Sequence, residues 1–358
     1  MMPHKSKQLC CIPVYQAVLR VCAEFGARLL AVALGLIALT GCEPPGESLA
    51  EEQQGPTQVG LVLAIEPAGE DLVAVGDQGR VMYSEDQGES WTFAETPADE
   101  LLTAVSFVDE RHGWAVGHGP VILHSDDAGR SWSEQSLDAD MPDPLFDVVF
   151  ADAETGVAVG AFGQIRRTED GGQTWTEINL HEQSDGELAE HMSAGGVPVA
   201  DSHFYSITCL PKPACRRLLV AGESGTILYS DDMGKTWLPA ETSDDITFFG
   251  IIAEQDKALA FGMFGRASVS DDGGETWSPV QTGTEHTLLA GTWLPGGSAV
   301  VVGYDGASRL YRPNGSNMGA FGYGSRDMLT AIVSLGARSV LFAGDVGFVR
   351  GEITPTSE

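Results

Sequence analysis

The chain has 358 residues, with 20 Lys and Arg against 51 Asp and Glu, a net charge of −31. So acidic a surface repels nucleic-acid phosphates and anionic headgroups, which excludes nucleic acid as a partner and favours cationic groups. With 43% hydrophobic residues and 44 glycines, the composition is that of a folded protein rich in turns, not of a disordered polyanion.

Residues 1–41 read as a targeting segment. Lys5, Lys7, Arg20 and Arg28 precede an apolar run, Leu29–Leu39, too short for a transmembrane helix. The run ends in Leu39-Thr40-Gly41-Cys42, which resembles the bacterial lipobox, so Cys42 is expected to be lipidated and to become the new N-terminus. Residue 43 is Glu, not the Asp of inner-membrane retention, which favours the outer membrane and a periplasm-facing domain. Cleavage leaves 16 basic and 50 acidic residues, a net of −34. Residues 42–57, rich in Pro, Glu and Gln, have little to bury and read as a flexible tether.

From 58 to 354 one unit recurs, followed by a tail at 355–358. A turn of the V-G-x-x-G kind appears seven times, with Ala or Phe for the Val in three, its first glycine at Gly76, Gly117, Gly160, Gly222, Gly262, Gly303 and Gly344. After it comes a box, S/T-x-D-x-G-x-S/T-W, whose fixed members are Asp86 and Trp91, Asp127 and Trp132, Asp170 and Trp175, Asp232 and Trp237, and Asp272 and Trp277. The spacing is 40–43 residues except for one interval of 62, and four short strands fit each period. This predicts an all-β fold, a seven-bladed β-propeller with Asp-box turns. A closed ring needs no second copy, so a monomer is expected. The Asp side chain caps backbone N–H groups of its own turn, and the Trp opens the next strand and wedges between sheets. One carboxylate per repeat is a scaffold pattern, so these positions are read as structural.

The innermost strands are expected at Leu61–Ile65, Leu102–Phe107, Phe146–Phe150, Tyr205–Cys209, Phe248–Ile252, Leu289–Trp293 and Leu329–Val333, around a central channel. The seventh period has no box and ends after three strands, so residues near Thr57–Leu61 should supply or abut a fourth. The sixth has a degenerate box, Tyr311–Asn317, without Trp, and the second turn is altered to Gly117-His118-Gly119-Pro120. The long interval holds an insertion, about 180–202, polar enough that removing Glu182–Ala200 should cost few core contacts. It falls on the face of the V-G turns, where long loops often carry function. His181 and His191 lie in it without metal-ligand spacing. Cys209 and Cys215 are the pair left beyond Cys42. They flank a Pro-rich loop, and a disulfide between them would pin a hairpin, with two buried thiols as the alternative.

The repeat Asp147–Trp175, DVVFADAETGVAVGAFGQIRRTEDGGQTW, is similar to repeats of the photosystem II assembly and stability factor family. Members are seven-bladed BNR, or Asp-box, propellers, and the similarity extends over most of Val59–Gly351. The resemblance implies a non-catalytic scaffold that helps assemble a membrane protein complex. Relatives outside photosynthesis are envelope proteins, some of which accompany transporters. Where photosynthetic members use a basic patch, this chain offers Arg166, Arg167, Arg216 and Arg217 amid its acids.

Asp boxes also occur in sialidases and other propeller glycosidases, so a hydrolase or carbohydrate-binding protein is the alternative. A sialidase needs clustered arginines and a Tyr–Glu pair. The expected channel strands hold no Arg and one carboxylate, Asp147, while Tyr83 and Tyr229 share one repeat position and read as structural. No cofactor or metal is assigned. The expected recognition surface is the V-G-x-x-G face, where Asp77, His118, Phe162, Glu223, Phe264, Tyr304 and Asp305 vary against constant glycines. Such tips suit a protein partner with apolar and basic groups. Replacing Cys42→Ser should leave the chain unprocessed or released from the membrane fraction, because the acyl chains provide about 0.8 kcal/mol per buried methylene. Unchanged fractionation without acyl labelling would contradict a lipid anchor.

Overall fold

A computed structural model describes residues 59–353 apart from 120, 136–142, 187–195, 197, 212–213, 314–316 and 322–323. The targeting segment, Cys42, the tether and the tail therefore lie outside the described residues, as do Pro120 and His191.

Seven antiparallel sheets follow one another along the chain, six of four strands and the last of three. Within each sheet the strands pair in sequence order, as one four-stranded meander per period requires. The second strand of every blade is its apolar centre. Asp71–Gly76, Arg217–Gly222, Lys257–Gly262, Ser298–Gly303 and Ser339–Gly344 are each buried at every position but the first. These strands read as unbroken apolar runs because both faces are covered by neighbouring blades, so alternation has no solvent side to mark.

The core is accordingly divided into interfaces. One cluster joins Val149, Val157 and Ile165 of blade three to Phe204, Leu218, Val220 and Trp237 of blade four. Another joins Val62, Ala74 and Met82 of blade one to Ala331, Leu341 and Ala343 of blade seven, which closes the ring. Fully burying one such Val or Leu contributes about 1.5–3 kcal/mol.

The Asp box has the expected local geometry. Asp86 Oδ1 accepts from the Ser84 hydroxyl at 2.8 Å and from the Ser90 N–H at 2.8 Å, and Oδ2 accepts from the Ser90 hydroxyl at 2.6 Å. The Ser90 hydroxyl and N–H pull the Asp86 carboxyl down to about 2. The same bonds recur at Asp127, Asp170, Asp232 and Asp272. The box Trp packs against the preceding blade, and three of them, Trp132, Trp237 and Trp277, donate the indole N–H to the carbonyl of their own box glycine at 3.0–3.1 Å. That glycine must lack a side chain: at Gly234 a Cβ would lie 2.8 Å from Val157 of the blade before. In blade six Met318 replaces the missing Trp, buried in the interface with blade five. Tyr83 and Tyr229 stack under Arg130 and Arg217, a structural use in both places.

Neighbouring blades are also tied at their rims. The Trp132 N–H donates to the Glu95 carbonyl, and the Trp277 N–H to the Glu241 carbonyl, each pair within a short parallel bridge. At the junction of blades three and four the insertion takes over this role. There the Trp237 N–H donates to Gln183 Oε1 at 3.0 Å, and Gln183 Nε2 donates to the Lys235 carbonyl at 3.0 Å. Leu180, Val199 and Ala200 are buried in the same interface. The expectation that few core contacts depend on Glu182–Ala200 is thus corrected, because both ends of that segment are scaffold.

Among the described residues, ring closure uses side chains rather than a strand. Val59 abuts the start of the last strand, Gly347–Glu352, but the first strand pairs only within its own blade. Trp91 stacks on Phe348 with centroids 3.8 Å apart, and the Thr330 hydroxyl donates to the Val62 carbonyl.

The inner strands are Val62–Ala68, Leu102–Phe107, Leu145–Phe150, Phe204–Leu210, Phe248–Glu254, Leu288–Leu294 and Leu329–Ser334. Several run one to three residues beyond the expected ends because pairing continues to the hairpin, as in Ala68 opposite Asp71. The channel consequently holds Glu66 and Glu254 as well as Asp147, so the expected single carboxylate is corrected to three.

Asp147 is a bridge between blades. Its Oδ2 accepts from the Ile207 N–H at 2.8 Å and the Ser206 hydroxyl at 3.0 Å, and its Oδ1 from its neighbour Val148 N–H at 2.8 Å. Burial raises its carboxyl to about 6, with Glu66 nearby adding to the rise and the hydrogen bonds opposing it.

Two predictions follow from this framework. Because the folded pKa of Asp147 lies above the unfolded value, its contribution is most favourable below about pH 4 and is lost as pH rises through 6. Asp147→Asn should therefore gain melting temperature relative to wild type between pH 4.5 and 7, as read by calorimetry. An unchanged difference would remove the charge from the account. Deleting Glu182–Ala200 should lower stability by about 3–5 kcal/mol, whereas deleting only 187–195, which spares Gln183, Val199 and Ala200, should leave the melting transition near wild type.

Candidate recognition face

The first glycine of each turn begins a tight reversal between the second and third strands. The second locks the turn onto the connection leading into the next blade. Gly79 has φ +64 and donates its N–H to the Glu100 carbonyl at 2.6 Å, and a Cβ there would lie 2.0 Å from the Ala98 carbonyl. The corresponding Gly163 donates to the Ser202 carbonyl at 2.8 Å, which sets the insertion on this same face.

Between the glycines stands a left-handed residue. Gln78, Phe162, Ser224, Phe264 and Asp305 all have φ between 54 and 57. A phenylalanine in this region is unusual, and strain of this kind clusters at functional positions. Phe162 and Phe264 are also the most exposed large apolar side chains among the described residues, at 54% and 62%. Backbone geometry thus holds two phenyl rings outward on blades three and five.

The other expected tip residues are more engaged. Asp77 pairs with Arg80 Nη1 at 2.7 Å. His118 is half-buried, and burial lowers its pKa. Glu223 Oε2 accepts from the His203 N–H at 3.1 Å and stands beside the Tyr205 hydroxyl, which burial and this carboxylate push up. Tyr304 is half-buried, with its hydroxyl raised by burial. Asp305 faces His286 Nε2 at 3.4 Å. On the far side of blade four, Cys209 and Cys215 are buried in one cluster. Arg166 and Arg167 pair with Glu177 and Glu169, so they form no open basic patch.

Sequence reading missed the channel mouth. Every inner strand carries a bulge one residue from its start. The extra residue turns into the lumen on the V-G face: Leu63, Thr103, Phe146, Tyr205, Phe249, Leu289 and Thr330 line one cavity of about 220 Å³. Blades three, four and five contribute its aromatics. Phe146 stacks on Tyr205 with centroids 5.3 Å apart, and Tyr205 meets Phe249 edge-on at 5.0 Å. His203 links this group to exposed Phe162, whose ring it meets edge-on at 4.5 Å, and its Nδ1 accepts the Phe162 N–H at 3.0 Å. The one available signal was three aromatics at the same repeat position in successive blades.

Residues 90–202 match the model of the Photosynthesis system II assembly factor YCF48 family, and 268–279 match the BNR/Asp-box repeat. Over 59 residues the chain is 31% identical to Photosystem II assembly protein Ycf48 of Thermosynechococcus vestitus, a match spanning 16% of this chain and 17% of that relative's length. Among solved structures, YCF48 bound to D1 peptide superposes with a TM-score of 0.64 at 18% identity, over 84% of this chain and 94% of that one. YCF48 from Cyanidioschyzon merolae gives 0.63 at 17%, over 82% and 96%. These two likenesses carry the fold, and the segment matches add a local sequence similarity that spans less than a fifth of the curated relative's length. The ring of seven blades, its Asp boxes and the matched segments together make the chain a seven-bladed BNR-repeat propeller similar to Ycf48.

Proposed function

We propose that this protein is a non-catalytic scaffold that grips a membrane protein complex through its V-G face, as an assembly or stability factor. The observation that carries this reading is the pair of exposed phenylalanines, Phe162 and Phe264, held outward in the left-handed region beside an aromatic channel mouth. A solved relative of the same fold is a complex with a D1 peptide, which supports a polypeptide as the kind of ligand. Cys42 would tether the propeller to the envelope, with its face turned towards periplasmic segments of the complex. A transporter is one such complex, and the acidic surface suits basic segments.

The three channel carboxylates give the glycosidase alternative its one point of support. Asp147 has its oxygens occupied by blade four and its own neighbour, which argues for a structural carboxylate rather than an acid catalyst.

Crosslinking in intact envelopes followed by capture on the full chain tests the proposal. Recovery of one membrane complex supports it, and turnover of a glycan panel would overturn it. Replacing Phe162→Ala with Phe264→Ala should weaken capture by at least about thirtyfold, since an anchor of this size is worth about 2 kcal/mol or more. Melting should stay close to wild type, because both rings are exposed. Capture should also fall as salt rises if the acidic field steers the encounter. Undiminished capture by the double variant would move the interface off this face.

A further inference from the structure

The mouth of the channel is asymmetric. Leu63, Thr103, Leu289 and Thr330 line one side of it, and Phe146, Tyr205 and Phe249 line the other. We propose that this aromatic side receives the side chain of a lysine or arginine carried on an extended segment of the protein partner. The proposal rests on the protein-binding reading above and names the chemistry that the face selects.

Three observations point to a cation. The rings form a continuous surface, stacked between Phe146 and Tyr205 and edge-on between Tyr205 and Phe249, and aromatic faces attract ammonium and guanidinium groups. Beneath them the inner strands carry Glu66, Asp147 and Glu254, and the described inner strands contain no Lys or Arg. Around the mouth, the connections and turns of this face expose Glu100, Asp201, Asp245, Glu285, Asp305 and Asp345 against the exposed guanidiniums of Arg266 and Arg326.

The shape favours a basic side chain over a free cation. A cavity of about 220 Å³ is the size of one long side chain. A methylene stem can lie along the rings while the charged head reaches the field of the deeper carboxylates. Asp147 supplies that field through space, since its hydrogen bonds are used between blades. Outside the mouth, Phe162 and Phe264 stand as ledges for the residues on either side of the inserted one. An acidic side chain would meet like charge at every depth. An aliphatic one would satisfy the rings and gain nothing from the acidic field.

The test uses the full chain and labelled Gly-Ser peptides with a central Phe-Arg-Phe, Phe-Lys-Phe, Phe-Leu-Phe or Phe-Glu-Phe, followed by fluorescence anisotropy. The Arg and Lys peptides should bind at least tenfold tighter than the Leu peptide, and the Glu peptide should not bind. Tyr205→Leu keeps apolar bulk and removes a ring face, so it should bring the Arg peptide down to the Leu value. Phe146→Leu makes the same test if Tyr205→Leu fails to fold. Equal binding of the Leu peptide, no binding of any peptide, or full Arg binding by the Leu variants would each overturn the inference. Envelope capture separates the two levels. If wild type captures a complex and both Leu variants capture it equally, the inference falls and the scaffold reading stands. If wild type captures nothing, the scaffold reading falls as well.

Discussion

The structure depends on burying the same apolar strand seven times between two neighbours. A blade has no solvent face along its second strand, so no blade is stable without the next. In five blades the box Trp secures the contact by filling the seam with the preceding blade, with Met318 in its place in blade six, and the box glycine permits the seam to close. The Asp carboxylate serves this arrangement indirectly. It holds the hairpin that aims the Trp, and it does so with bonds made entirely inside the turn.

The two faces of the ring divide the labour. On one, the hairpins are constrained by the box and leave little freedom for variation. On the other, only glycines are fixed, and the two residues between them are open to change. The bulges add a second layer to that face by turning one extra residue per strand into the lumen. Tips and bulges thus form concentric rings of variable chemistry on an invariant frame, and both are most aromatic over blades three to five. The insertion enters at the same sector and is fastened there by Gln183 and Val199.

Much of this was legible in the sequence because it repeats. Glycine spacing set the blade number, the boxes set strand order, and the varying tips marked the face. What stayed hidden has no local signature. A bulge is a matter of pairing between strands, so Phe146, Tyr205 and Phe249 read as ordinary strand residues. Glu66 and Glu254 were missed because strand ends are fixed by the partner's register rather than by composition. The insertion looked dispensable because Leu180, Val199 and Ala200 are small apolar islands in a polar stretch, and only the folded seam shows what they cover. Cys42 and the tether fall outside the described residues, so the anchor rests on sequence alone.

The closing seam has a consequence for how the ring is made. All seven blades are local meanders that can form as the chain emerges, and six of them dock against the one made before. Blade one is different: its outer flank is covered by Leu341, Ala343 and Phe348, encoded almost a whole chain later. Until those residues arrive, Val62, Ala74 and Met82 present a raw apolar surface to any other nascent blade. Premature docking there would give a smaller or swapped ring, and the repeats are similar enough to allow it. The last blade differs from the others in lacking a box, and its Phe348 meets Trp91 face to face. Trp132 and Trp175 meet their phenylalanines edge-on instead, so the closing seam is packed differently from those two.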